Sequence, residues 1–188
     1  YDEFKARIDG GGFFRMRFCG DRAVEAQNRQ AVVAELTRRM KNGANNFYWI
    51  AALSVINSFV LQFGGNSYFV VGLAITLLVD GVFIGMAEAL PEASLVVKVI
   101  GLAISIFIAG IFALFGLFGN RGKRWAFITG IVLYSLDALL MLVFQEWLGL
   151  AFHALFLFGL FGGLRALNEL NKLTKPDVPD FPQNIGAP

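Results

Sequence analysis

Residues 95–118 read LVVKVIGLAISIFIAGIFALFGLF, an apolar run with a single charge, Lys98. A helix needs about 20 apolar residues to cross the roughly 30 Å hydrocarbon core of a bilayer. This run is long enough, and Lys98 near its start has an alkyl stem that can carry the ammonium back to the interface. Four further apolar runs flank it: 47–63 and 68–87 before it, 125–144 and 148–164 after it. Tyr48 and Trp49 open the first run, where interfacial aromatic anchors belong. Its 17 residues are about the minimum for a crossing, and it is the run whose full crossing is most in question. The segments between runs carry turn or breaker residues: Gly64-Gly65-Asn66-Ser67, Glu88 to Glu92 with Pro91, the basic Asn120 to Arg124, and Gln145-Glu146-Trp147. The expected fold is an all-α integral membrane bundle of about five transmembrane helices.

Composition agrees. Hydrophobic residues make up 56% of the 188, with 20 Phe and 21 Gly, and the mean hydropathy is +0.61. Ordinary soluble domains reach about 45–50% apolar even with Gly counted. One Cys and one His exclude a disulfide within the chain and leave too few ligands for a His/Cys metal site. The net charge is only +2, which gives no basic footprint for nucleic acid. The chain starts at Tyr1 and not at Met, so it either was cut, a cleaved leader being one way, or opens partway along a longer chain.

Three domains of composition are expected. Residues 1–45 form a soluble arm and an amphipathic helix, 46–167 the bundle, and 168–188 an extended tail with Pro176, Pro179, Pro182 and Pro188. Within the arm, Phe14-Arg15-Met16-Arg17-Phe18 alternates as a short strand does. Asp21 is placed to cap a helix reaching about Lys41, with Val33, Leu36 and Met40 on one face and Arg29, Arg38, Arg39 and Lys41 on the other. Such a helix either lies in the membrane interface or packs on a partner.

A loose internal repeat relates Phe63 to Asp80 with Phe118 to Asp137, each with Asn, a Phe-x-x-Gly and an Asp. It suggests two tandem hairpins plus one helix, a common construction in membrane folds. If all five runs cross, the termini lie on opposite sides. Lys and Arg then nearly balance: Arg29, Arg38, Arg39, Lys41 and Lys98 against Arg121, Lys123, Arg124, Arg165, Lys172 and Lys175. The positive-inside rule does not decide, and an inside N-terminus is expected only because a basic arm is hard to export.

Ionisable groups within a bilayer cost about 2.5–3.5 kcal/mol on insertion scales and usually have a role. Asp80, Asp137 and His153 qualify, with Glu88 and Glu146 nearer the surface of the same half. The short turn between the fourth and fifth runs makes an Asp137–His153 bond an expectation. Two readings stand: a proton or cation path, and a polar network that fixes helix packing. No catalytic residue is expected. Intramembrane aspartyl proteases need a Gly-x-Gly-Asp, and neither Leu77-Leu-Val-Asp80 nor Tyr134-Ser-Leu-Asp137 supplies it. A Ser–His pair of rhomboid type lacks its Gly-x-Ser. For helix contacts, Gly81–Gly85 and Gly159–Gly163 are G-x-x-x-G motifs, and Ala109 and Ala113 repeat the spacing.

Phe47-Tyr-Trp-Ile50, Ser54-Val-Ile-Asn57-Ser58, Gly72-Leu-Ala-Ile-Thr76, Trp125-Ala-Phe, Leu133-Tyr-Ser-Leu-Asp137 and Trp147-Leu-Gly-Leu-Ala-Phe-His153 carry a resemblance. Over residues 47–167 the chain resembles a family of small, uncharacterised bacterial polytopic membrane proteins. The resemblance implies a multi-pass protein of the bacterial inner membrane and brings no activity or cofactor with it. The first expectation for function is a non-enzymatic accessory subunit of a membrane assembly, docked through the N-terminal arm and C-terminal tail. The alternative is a small proton- or cation-coupled transporter or channel using Asp80, Asp137 and His153. A lipid, quinone or pigment binder is the weaker alternative.

Overall fold

The computed structural model describes the backbone of residues 2–63 and 72–174, and the side chains of 24–63 and 72–174. The 64–67 turn, the first residues of the second apolar run and the proline tail lie outside the described residues. The architecture is all-α. Five helices follow in order: α1 (Asp2–Phe63), α2 (Ala74–Ala89), α3 (Ser94–Asn120), α4 (Arg124–Val143) and α5 (Trp147–Thr174), with a short 3-10 turn at Pro91–Ala93. Four of them, α1, α3, α4 and α5, are long and apolar enough to cross a membrane. The chain is therefore a multi-pass membrane protein in its build.

Two expectations about length are reversed. The 47–63 run is no marginal span, because it is the end of a 62-residue helix that continues unbroken from the arm. The arm–bundle boundary at 45/46 thus falls inside α1. The alternating 14–18 stretch lies in the same helix and is not a strand. A helix bonds its own backbone, whereas a lone strand needs a partner. The short element is instead α2, whose 16 residues reach only about 24 Å at 1.5 Å per residue.

The direction of α2 follows from its contacts. Leu73 N–H donates to Ser54 Oγ at 2.8 Å, and Gln62 Nε2 donates to Asp80 Oδ1 at 3.2 Å. Moving along α1 from Ser54 to Gln62 moves the partner from Leu73 to Asp80, so α1 and α2 run in the same direction. Gly72 lies so close to Ser54 that a Cβ there would sit 3.3 Å from Ser54 Cα. Between Phe63 and Gly72 the chain therefore comes back by nine residues of α1, about 14 Å along its axis. Ser54 is also nine residues, about 14 Å, below Asn45, whose side chain bonds Asn120 at the far end of the bundle. The first turn of α2 thus begins near mid-depth.

The other three helices alternate. On α3, Ser105 meets Asp80 and a Cβ on Gly119 would touch Ala44, so α3 is antiparallel to α1. On α4, Gly130 packs under Phe47 and Asp137 meets Ala74, so α4 runs with α1. On α5, His153 meets Asp137 while Gly163 crosses Gly43, so α5 runs against it. The α2–α3 and α4–α5 pairs form tandem hairpins of the same sense, as the loose repeat suggests. The bundle core is filled by Phe47, Phe112, Phe115, Phe127 and Tyr134 with Ala44, Ile50 and Leu160. Leu36 and Met40 are buried in the same cluster as Ala166 and Leu167, so the amphipathic face of α1 is covered by α5 of its own chain. Beyond them, residues 24–32 of α1 are exposed.

Of the two G-x-x-x-G motifs, Gly159–Gly163 closes a helix crossing. A Cβ on Gly163 would lie 2.8 Å from Gly43 Cα, and one on Gly159 would run into the Asn46 amide. Gly81 and Gly85 have nothing within 4 Å of an added Cβ, so that motif makes no contact within the described chain. At the α3–α4 turn, Gly122 takes φ 72°, and the N–H groups of Gly122 and Lys123 return to Gly119 and Phe118 carbonyls. That is the left-handed helix stop that glycine allows without strain.

With α2 parallel to α1, the two described chain ends lie on one side. Arg29, Arg38, Arg39, Lys41, Arg121, Lys123, Arg124, Arg165 and Lys172 all fall on that side, and Glu88, Glu92 and Glu146 on the other with Lys98. The balance of charge expected from five alternating spans is replaced by a strong asymmetry. We predict that, in a chain with Cys19 replaced, single cysteines at Arg38, Arg121 and Lys172 react with an impermeant thiol reagent from one side of sealed vesicles. Cysteines at Glu92 and Glu146 react from the other. Opposite sidedness for Arg38 and Lys172 would contradict this topology.

Candidate functional site

A helix that starts inside a bilayer has free N–H groups with no water to bond, each costing several kcal/mol if left bare. Leu73, the residue before α2, supplies no side-chain cap. The neighbours do so. Asp137 Oδ2 accepts from Ala74 N at 2.8 Å and Oδ1 from Ile75 N at 2.9 Å, while Ser54 Oγ takes Leu73 N. The Thr76 hydroxyl closes the turn onto Leu73 O at 2.8 Å. A carboxylate across two N-terminal amides also meets the positive end of the helix dipole.

His153 completes this centre. Its Nε2 stands 2.9 Å from Asp137 Oδ2, and its Nδ1 stands 2.8 Å from Gly149 O. A carbonyl oxygen only accepts, so Nδ1 carries a hydrogen. Nε2 then needs a second proton between itself and Oδ2. A hydrogen between Nε2 and Oδ2 then joins the two side chains. Tyr134 lies flat on the imidazole, with centroids 4.5 Å apart and planes inclined by 14°, and so fixes the plane of the ring. Asp137 and His153 are 5% and 1% exposed. Asp137 also lines a lipid-facing cleft of about 490 Å³ whose other walls are Ile75, Ile108, Leu133 and Leu136 among other apolar residues.

Asp80 stands apart from this pair. It lies six residues further along α2, about 9 Å towards the acidic side. Its Oδ1 accepts from Gln62 Nε2 at 3.2 Å and Ser105 Oγ at 3.0 Å. No cationic side chain bonds it among the described residues. Asp80 Oδ2, Gln62 Oε1 and Ser58 Oγ are buried without a hydrogen-bond partner. Of the five polar residues singled out in the sequence, Asp137 and His153 are brought together and Asp80 forms a second centre. Glu88 is exposed at the end of α2 and Glu146 half-buried in the α4–α5 turn, and neither joins the hydrogen-bonded groups.

Sequence reading missed the uncharged partners. Ser54, Ser58, Gln62, Thr76 and Ser105 are all buried polar residues. Ser54, Ser58 and Gln62 recur every four residues in an apolar run and so share one face of α1, a signal that was there to read. Ser105 stands alone in α3 and gave none. Comparison with family models, curated proteins and solved structures returned no match.

The two aspartates are predicted to answer differently to the same isosteric change. Asp137→Asn keeps one acceptor for the α2 amides but loses the other and the partner of His153. It should cost about 2–4 kcal/mol, read as a lower unfolding midpoint in mild detergent. In choline buffer free of alkali-metal ions, Asp80→Asn removes a poorly compensated buried carboxyl and should leave the midpoint unchanged or raise it. Equal losses in both variants would contradict this division of roles between the two acids.

Proposed function

We propose that this protein is a small, non-enzymatic membrane protein that conducts or exchanges protons or monovalent cations through the polar interior of its acidic-side half. The observation that carries the reading is the discontinuity: α2 begins near mid-depth, with its first amides on Asp137 and Asp137 on His153. Broken helices at membrane depth line buried polar sites, where the free backbone is used for or beside the transported ion. Asp80 extends the polar interior from this centre towards the side bearing Glu88, Glu92 and Glu146. Acidic groups at a mouth concentrate cations.

The basic side is the cytoplasmic side on the positive-inside rule, which puts both described ends of the chain inside. Together with the resemblance over 47–167, this supports a place in a bacterial inner membrane. A second reading, that of an accessory subunit, is favoured by one separate feature. Residues 24–32 of α1 are exposed, and a helical segment draws most of its stability from packing. A partner on that segment would stabilise it. The groove at its base, with Arg39, Asn42, Asn46, Arg165 and Glu169, offers polar contacts beside it.

The test is flux in liposomes holding the purified chain and a pH- or cation-sensitive dye. A transmembrane gradient should dissipate several-fold faster than in empty vesicles, and Asp137→Asn or His153→Ala should lower the rate at least tenfold. No flux above empty vesicles, with a constant set of co-purifying chains in mild detergent, would contradict the pathway and favour the subunit.

A further inference from the structure

We infer that Asp80, with Gln62, Ser58 and Ser105, forms a binding site for a monovalent cation of the hard, oxygen-seeking kind, with Na+ as its type. The inference deepens the pathway reading and rests on it for the site's role, though not for the binding itself.

Charge comes first. Asp80 is 0% exposed, and an ionised carboxylate in such surroundings needs a compensating charge. Asp137 has His153 and two backbone amides beside it. Among the described residues Asp80 has two neutral donors, the Gln62 amide and the Ser105 hydroxyl, and both bond the same oxygen, Oδ1. Its other oxygen takes no hydrogen bond. A single positive charge beside Oδ2 makes the site neutral. A divalent ion would leave it with a net positive charge in the same apolar setting.

The donor set comes second. Gln62 Oε1 and Ser58 Oγ are also buried and unpartnered, at 1% and 0% residue exposure. Ser58 and Gln62 are four residues apart and so neighbour each other on one face of α1. The Gln62 amide is already anchored with its nitrogen on Asp80, which leaves its oxygen as a free acceptor. The unpartnered atoms are a carboxylate oxygen, an amide oxygen and a hydroxyl, and Ser105 Oγ retains a lone pair. Oxygen-only sets of this kind suit hard cations and not transition metals, which favour nitrogen and sulfur.

The fit of the helices comes third. A Cβ on Gly101 would lie 3.0 Å from Gln62 Nε2 and closer still to the Phe83 ring. Glycine at this position lets α3 come close enough for Ser105, one turn on, to reach Asp80. Three helices thus meet at the site, so occupancy ties α1, α2 and α3 together.

Equilibrium binding of radioactive Na+ to the full chain in mild detergent tests this, with choline holding ionic strength constant. Saturable binding of one Na+ per chain is expected at pH 8. Asp80→Asn should abolish it, with an unfolding midpoint in choline no lower than that of the parent chain. Ser58→Ala, a smaller change, should weaken binding several-fold and guards against an Asp80 variant that does not fold. Absence of saturable binding, or binding untouched by either substitution, would overturn the site. So would an unfolding midpoint that is the same in Na+ as in choline, which marks a carboxyl satisfied without a cation. Na+ binding without flux would contradict the pathway reading and leave the site standing. Proton flux without Na+ binding would do the reverse.

Discussion

The carboxylate of Asp137, held across the N–H groups of Ala74 and Ile75, is the contact on which the arrangement of the chain depends. A bilayer interior offers no water to a broken helix, so a helix can begin there only if the protein itself supplies acceptors. Asp137 and Ser54 supply them to three successive amides. With that support α2 starts near mid-depth and runs beside α1 in the same sense. The side on which every later element lies follows from that start. Without it, the second apolar run would have to cross as a full helix, and the chain ends would separate to opposite faces.

The same contact separates the work of the two buried acids. Asp137 is saturated: two amides, an imidazole hydrogen-bonded to it, and a tyrosine ring stacked on that imidazole. Asp80 is bonded on one side only, among oxygens that also lack partners. One acid therefore organises the backbone, while the other keeps its chemistry in reserve. The Gly43–Gly163 crossing and the aromatic core of Phe47, Phe115 and Phe127 hold α1, α3, α4 and α5 around both.

Much of this was legible in the sequence. The five helices follow from apolar runs whose lengths match a bilayer, and the Asp137–His153 approach follows from a turn too short to separate α4 from α5. The Gly159–Gly163 motif does mark a close crossing. What was not legible has a common cause. Hydropathy reports whether a segment prefers lipid, not where along the membrane normal its helix begins. The run 68–87 scores as a span because Gly72, Leu73 and Ala74 are as apolar as a helix interior. The acceptors that permit the break sit 19 residues upstream at Ser54 and 63 residues downstream at Asp137. A near balance of Lys and Arg is what the charge rule returns when one of the apolar runs does not cross fully. Likewise Gly81–Gly85 has the spacing of a crossing, but spacing does not say which face of α2 meets a neighbour.

That α2 starts near the middle of the bilayer and runs outward can be checked by a depth profile. Spin labels at Ile75, Leu78, Val82 and Met86, all exposed along α2, can be read for oxygen against a polar relaxant in liposomes. The greatest depth is predicted at Ile75, with a steady decrease to Met86 amounting to about 16 Å over the eleven residues at 1.5 Å each. A profile deepest at Leu78 or Val82 and shallow at Ile75 would show α2 to be an ordinary span and would contradict a mid-depth start.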